Sequence, residues 1–140
     1  MPRDEIVSLL ARRLEALQRR DVEVLTSLYT ENCVVESPVS GSAHGRDAVK
    51  RVYLAWFAAF PDFAQTMDDP LIDGERAAQF GLASGVHTGD FMGLAPTGKP
   101  FRFPIAHFYA IRDGHILHER RLYDFTGLLV QLGVLKTKPA

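Results

Sequence analysis

Apolar residues at Ile6, Leu10, Leu14 and Leu17 recur at helical spacing while Arg12, Arg13, Glu15 and Arg19 fill the other side, so the chain opens on an amphipathic helix whose stripe needs a sheet to cover. Asp21 can cap a shorter second helix carrying Val22, Leu25, Leu28 and Tyr29, after which Cys33-Val34-Val35-Glu36 reads as a strand stopped by Ser37-Pro38. Residues 38–45 are small and polar and read as a loop. A third helix begins near Arg46, gathers Val49, Val52, Tyr53, Trp56, Phe57 and Phe60 on one broad face, and closes at Pro61.

From Phe63 the period changes from helix to strand. Phe63 to Met67, Leu71-Ile72 before the Asp73-Gly74 turn, Ala77 to His87, Phe101 to Ile111 and Ile116 to Tyr123 each read as strands, and Leu128 to Leu132 as a short closing helix. Helices clustered early and an antiparallel run later predict an α+β fold, one domain over residues 1–140, with helices packed on one face of a strongly bent sheet.

Asp113-Gly114 between two apolar runs is a strong hairpin signal, because a two-residue type I′ turn needs positive φ at both central positions. That turn predicts Ile111 opposite Ile116, Tyr109 opposite His118, His107 opposite Arg120 and Ile105 opposite Leu122, all on one face. Continued alternation adds Asp124 to that face and sends Phe108, Ala110, Leu117, Glu119, Arg121 and Tyr123 to the other. Both faces carry apolar residues, and a sheet-to-sheet dimer contact would account for the second.

Sixteen basic against seventeen acidic side chains leave a formal net charge of -1, which argues against nucleic acid or an anionic membrane as partner. The single cysteine, Cys33, leaves no intrachain disulfide, the start Met1-Pro2-Arg3-Asp4 has no apolar signal core, and no apolar run approaches the roughly 18 residues of a membrane span. A cytoplasmic protein is the expectation.

The stretch Gly85-Val86-His87-Thr88-Gly89-Asp90 to Pro96-Thr97-Gly98-Lys99, the hairpin ending in Asp124, and Gly127-Leu128-Leu129-Val130-Gln131-Leu132-Gly133 together resemble the SnoaL-like polyketide cyclases of the nuclear transport factor two-like superfamily. Phe60-Pro61-Asp62 and the element order extend the likeness over nearly the whole chain. The resemblance implies a cone-shaped curved antiparallel sheet with the three helices of the N-terminal half on its concave side, a pocket for a hydrophobic small molecule, work without metals or organic cofactors, and a homodimer through the outer sheet face. It also implies that Asp124 is the acid/base.

On the residues alone Asp124 has two readings, a general base whose pKa burial raises above roughly 3.9, or the cap of the closing helix. His107 could donate a hydrogen bond to an enolate oxygen or be a satisfied core histidine, and Arg120 could clamp a substrate oxygen or pair with a neighbouring acid. Tyr109, His118 and Leu122 complete the wall of the predicted face. Tyr53, Trp56, Phe57 and Phe60 could border a pocket for a flat ligand or simply be core, and Tyr29 and Asn32 are polar contacts by location. His87 precedes a loop that must bend over the pocket, which favours a role in shape over one in chemistry. His87, His107 and His118 carry no recognised zinc-ligand spacing.

Three functions fit. The first is a cofactor-independent cyclase or isomerase of a hydrophobic carbonyl compound, by aldol-type ring closure with Asp124 removing the proton and His107 and Arg120 stabilising the enolate. The second is epoxide opening on the same fold, for which relatives use two carboxylates bridged by arginine. The third is a non-catalytic binding or scaffold protein.

Overall fold

The computed structural model describes residues 1–136; the last four residues of the expected domain lie outside it. Helices α1 (Arg3–Gln18) and α2 (Val22–Ser27) lead into strand β1 (Tyr29–Ser37) and its partner β2 (Gly41–His44), followed by α3 (Arg46–Ala59). Strands β3 (Ala64–Met67), β4 (Leu71–Asp73), β5 (Arg76–Val86), β6 (Pro100–Arg112) and β7 (His115–Leu122) follow, and α4 (Phe125–Gln131) closes the chain. Asp21 caps α2 as expected, accepting from the Val24 N–H at 3.2 Å. The segment expected as a loop contains β2, which folds back on β1 with Ser37 opposite Gly41; Gly41 takes φ 63°, the left-handed conformation that a tight reversal requires.

The seven strands form one sheet in the order β2-β1-β7-β6-β5-β3, with β4 also paired to β5. It is mixed rather than purely antiparallel, because β1 runs parallel to β7 while every other pair is antiparallel. Ile6, Leu9, Leu10 and Leu17 of α1 and Val49, Tyr53, Trp56 and Phe57 of α3 bury against it. They meet the inward row Phe101, Phe103, Ile105, His107, Tyr109 and Ile111 of β6, whose period of two is that of a strand covered on one face. No helix among the described residues is long and apolar enough to cross a membrane.

The Asp113-Gly114 turn forms with φ 51° and 75°, and Ile111 pairs with Ile116 as expected. One step later the register shifts: Ala110 pairs with His118, Tyr109 with Glu119, Phe108 with Arg120 and His107 with Arg121. Leu117 is the extra residue of a β-bulge, and one added residue exchanges the faces of everything after it. Glu119, Arg121 and Tyr123 therefore turn toward the helices, and His118, Arg120 and Leu122 turn away, the reverse of the regular alternation.

Candidate active site inside the cone

Glu119 is fully buried at the centre of the inner face and accepts from four side chains. Its Oε2 lies 2.7 Å from Arg121 Nε, 2.8 Å from His107 Nδ1 and 3.3 Å from Arg13 Nη2, while Oε1 accepts from the Tyr29 hydroxyl. Tyr29 and Tyr53 hydroxyl oxygens are 2.7 Å apart; since Tyr29 gives its proton to Glu119, Tyr53 donates to Tyr29. The Arg121 guanidinium also lies over the Tyr53 ring, 4.7 Å from its centroid, and Arg13 lies over Tyr109 at 5.8 Å.

The charges follow from this geometry. Burial alone would raise the Glu119 pKa, but Arg121 and Arg13 together with the His107 hydrogen bond hold it well below the carboxylate range. Burial opposes the charge on Arg121, and the facing carboxylate outweighs it. Burial, reinforced by the positive charge of Arg13, pulls His107 down to about 4, so at neutral pH its imidazole is uncharged. Its one proton sits on Nδ1, facing Glu119, which leaves the Nε2 lone pair to accept from the Gln65 amide at 3.4 Å. Burial pushes the Tyr29, Tyr109 and Tyr123 phenols up, so all three remain donors.

Next to this cluster lies a cavity of about 30 Å³, lined by Arg13, Tyr53, Trp56, Gln65, Arg121 and Tyr123 among apolar side chains that include Phe57, Phe63 and Phe103. Arg13 Nε, Arg121 Nη2, Gln65 Oε1 and the Tyr123 hydroxyl are buried there without a hydrogen-bond partner. Buried polar atoms are nearly always bonded, so this convergence gives the cavity polar groups able to hold a small molecule or an ordered water.

Several residues picked out in the sequence lie here, and several do not. Tyr29, Tyr53, Trp56, His107 and Tyr109 belong to the interior, and Phe60 packs between Trp56, Phe91 and Phe101 at centroid distances of 5.4, 5.1 and 4.8 Å. Asp124 is corrected: it is exposed and caps α4, accepting from the Gly127 N–H at 2.8 Å, because the chain leaves the sheet after Leu122 and the helix start claims its carboxylate. Arg120 is corrected too, since the bulge sends it outward, where its Nε meets Glu36 at 3.0 Å beside His118 at 2.5 Å from the same oxygen. Leu122 is outward and more than half exposed, and Asn32 lies in a surface cleft with Arg46 and His115.

His87 does structural work. Its backbone bonds Lys99 and Gly98, its Nδ1 accepts from the Thr97 N–H at 3.2 Å, and the loop it anchors reaches α3 through Gly89 N–H to Ala59 carbonyl at 3.0 Å. A Cβ on Gly89 would fall 1.9 Å from the Ala58 carbonyl oxygen, so only glycine allows that approach. The His87, His107 and His118 side chains thus sit in three separate surroundings, and no cluster of three metal-ligating acidic, histidine or cysteine side chains occurs among the described residues.

Glu119, Arg121, Gln65, Tyr123 and Arg13 had escaped the reading from sequence. For Arg13 a signal existed: it stands midway between Leu10 and Leu17 on the very stripe that buries α1.

This architecture matches known structures over nearly its full length. IdmH, a candidate polyketide cyclase from Streptomyces antibioticus, is 30% identical over 91% of this chain and 97% of its own, with a TM-score of 0.77. A candidate SnoaL-like polyketide cyclase from Jannaschia sp. CCS1 superposes with a TM-score of 0.86 at 16% identity, covering 94% of each chain. AclR, a candidate hydroxylase from Streptomyces galilaeus, gives 0.80 at 22% identity over 94% of this chain and 87% of that one. No curated protein sequence matches. The sequence model of the SnoaL-like polyketide cyclase family fits residues 8–132, and with the cone and its polar interior in place, the chain belongs to that family.

Proposed function

We propose that this protein is a cofactor-independent cyclase or isomerase that folds a hydrophobic carbonyl compound inside the cone and closes or rearranges it through an enolate, most simply by intramolecular aldol-type ring closure. The observation that carries this reading is Arg121: a buried guanidinium, fixed through Nε by Glu119, whose Nη2 is unbonded at an aromatic cavity. A donor held in place away from water stabilises a developing oxyanion far better than one in solution. Tyr123, a protonated phenol on the same cavity, is a second donor toward that oxygen.

Both oxygens of Glu119 are taken up by four donors, so the proton acceptor assigned here is His107. Its free lone pair is on Nε2, behind the Gln65 amide, and Glu119 across the ring fixes the tautomer and would hold the imidazolium that forms. Transfer from carbon requires the Gln65 side chain to turn aside; His107 then returns the proton to the product oxygen. This inverts the role expected of His107, from donor to acceptor. The epoxide alternative draws no support from the interior, which has one carboxylate between two arginines rather than the reverse.

The test is turnover of a panel of polyketide and terpenoid carbonyl compounds, read by product mass and ring analysis, with native, Arg121→Gln and His107→Asn proteins. Loss of one such donor lowers kcat by roughly 10²–10³. Folded Arg121→Gln protein turning over at the native rate would overturn the assignment.

As partner we propose a second copy of the chain, docked through the outer sheet face. Phe80, Phe108, Leu122 and Leu71 are exposed there around a hollow between β4, β5, β6 and β7.

A further inference from the structure

Inside the cone, two guanidinium groups stand against one carboxylate. Arg13 and Arg121 both line the cavity and both bond Glu119, His107 adds no charge at neutral pH, and no acidic side chain is among the lining residues. Each arginine also keeps a fully buried nitrogen unpartnered, Nε in Arg13 and Nη2 in Arg121. A surplus buried cation is costly unless something neutralises it. Around it the walls are flat and apolar: Trp56, Phe57, Phe63 and Phe103.

We infer that the ligand of this cavity is an anion, an aromatic or polyunsaturated molecule bearing one ionised oxygen group, whose charge neutralises the surplus cation of the Arg13–Arg121 pair and whose plane lies among the aromatic walls. The inference rests on the interior being the binding site, as proposed above, and adds a charge requirement that ring closure by itself does not impose. At about 30 Å³ the cavity has room for little more than one water molecule, so a ligand must enlarge it. Trp56 lines both this cavity and a groove of about 600 Å³ that α3 forms with the 90–93 segment. A ligand that widens the cavity therefore meets the indole of Trp56, the chain's single tryptophan.

The experiment compares cinnamate with its neutral methyl ester at neutral pH, with affinity from calorimetry and location from Trp56 emission. The native protein should bind the acid roughly tenfold or more tightly than the ester, as expected for a charge-assisted bond to a buried group, with a change in Trp56 emission. Arg121→Gln should bring the two affinities together, and Arg121→Lys, which keeps the charge, should retain a preference for the acid. Equal or better binding of the ester, no binding of either at millimolar concentration, or acid binding that leaves Trp56 emission unmoved overturns the inference, and these outcomes need no variant to fold. Turnover is not read here. A protein that prefers the acid but cyclises nothing would retain the anion site and lose the proposed reaction, whereas cyclisation of neutral compounds without an acid preference would do the converse.

Discussion

Arg121 Nε donates to Glu119 Oε2 across 2.7 Å, and the two residues stand two apart on one strand with both side chains inside the sheet. Successive inward positions of a strand are neighbours, so β7 itself delivers carboxylate and guanidinium as a pair to the interior. Arg13, His107 and Tyr29 converge on the same carboxylate from α1, β6 and β1, which makes Glu119 the joint between helix layer and sheet. Glu119→Gln should therefore leave two buried cations without a counter-charge and destabilise the fold by about 3–5 kcal/mol. Urea unfolding checks it; a midpoint close to native would mean the cluster is wetter than its burial indicates.

Acid should weaken the fold through His107. The unfolded chain binds a proton at this imidazole near pH 6.5, whereas the folded chain holds it off until about 4, so the folded state binds fewer protons in that window. Stability is then full above the unfolded value and falls as pH drops from 6.5 toward 4, by a total on the order of 3 kcal/mol from this group. Glu119, with its lowered pKa, adds a loss of the same sign at lower pH still. Denaturant midpoints across this range should show a shallower fall in His107→Asn than in the native protein, and parallel curves would refute the assignment.

Asp124 should matter to stability and not to chemistry. Asp124→Ala removes the acceptor for the Gly127 N–H and should cost about 1 kcal/mol, the usual worth of such a cap. Asp124→Asn keeps an oxygen at that place and should melt near the native temperature with turnover within about twofold of native, since the side chain faces solvent. A collapse of turnover in Asp124→Asn would restore the role that the family resemblance suggested.

The elements were legible in the sequence because periodicity is strong where one face alone is buried. Ile105, His107, Tyr109 and Ile111 share one face, as alternation back from the turn predicts, but apolar residues on both faces hide which one is inward, and Phe101 and Phe103, beyond Pro104, are placed on it only by the structure. The hairpin turn was legible for the same kind of reason, as Asp113 and Gly114 accept positive φ. In β7 the code fails. His118, Glu119, Arg120 and Arg121 are four polar residues in a row, with no apolar alternation to anchor a face, so the extra residue Leu117 leaves no trace and the site residues exchange sides. Arg13 escaped for a different reason: an arginine on an apolar stripe is read as solvent-facing unless a buried acid is known to receive it, and that acid lies 106 residues away. At Asp124 the residues alone leave a cap and a base side by side, and the family resemblance rather than the spacing favours the base; the structure shows the cap.

The outer sheet face supplies the last prediction. Phe80 and Phe108 pack edge to face at 6.4 Å on a surface that also exposes Leu71 and Leu122. Around it lie ion pairs of both signs, Asp73 with Arg76 at 2.8 Å and Glu36 with Arg120 at 3.0 Å. A patch that carries its own complement of both charges can meet its copy across a two-fold axis without repulsion, which an all-positive or all-negative rim would forbid. The native protein should sediment as a dimer at micromolar concentration, and Phe108→Glu as a monomer with an unchanged circular dichroism spectrum, because residue 108 is outside the core. Its effect on interior chemistry should be small, the His107 and Glu119 side chains lying on the opposite face of the sheet. A native protein that sediments as a monomer would leave the hollow between β4 and β7 without the occupant assigned to it.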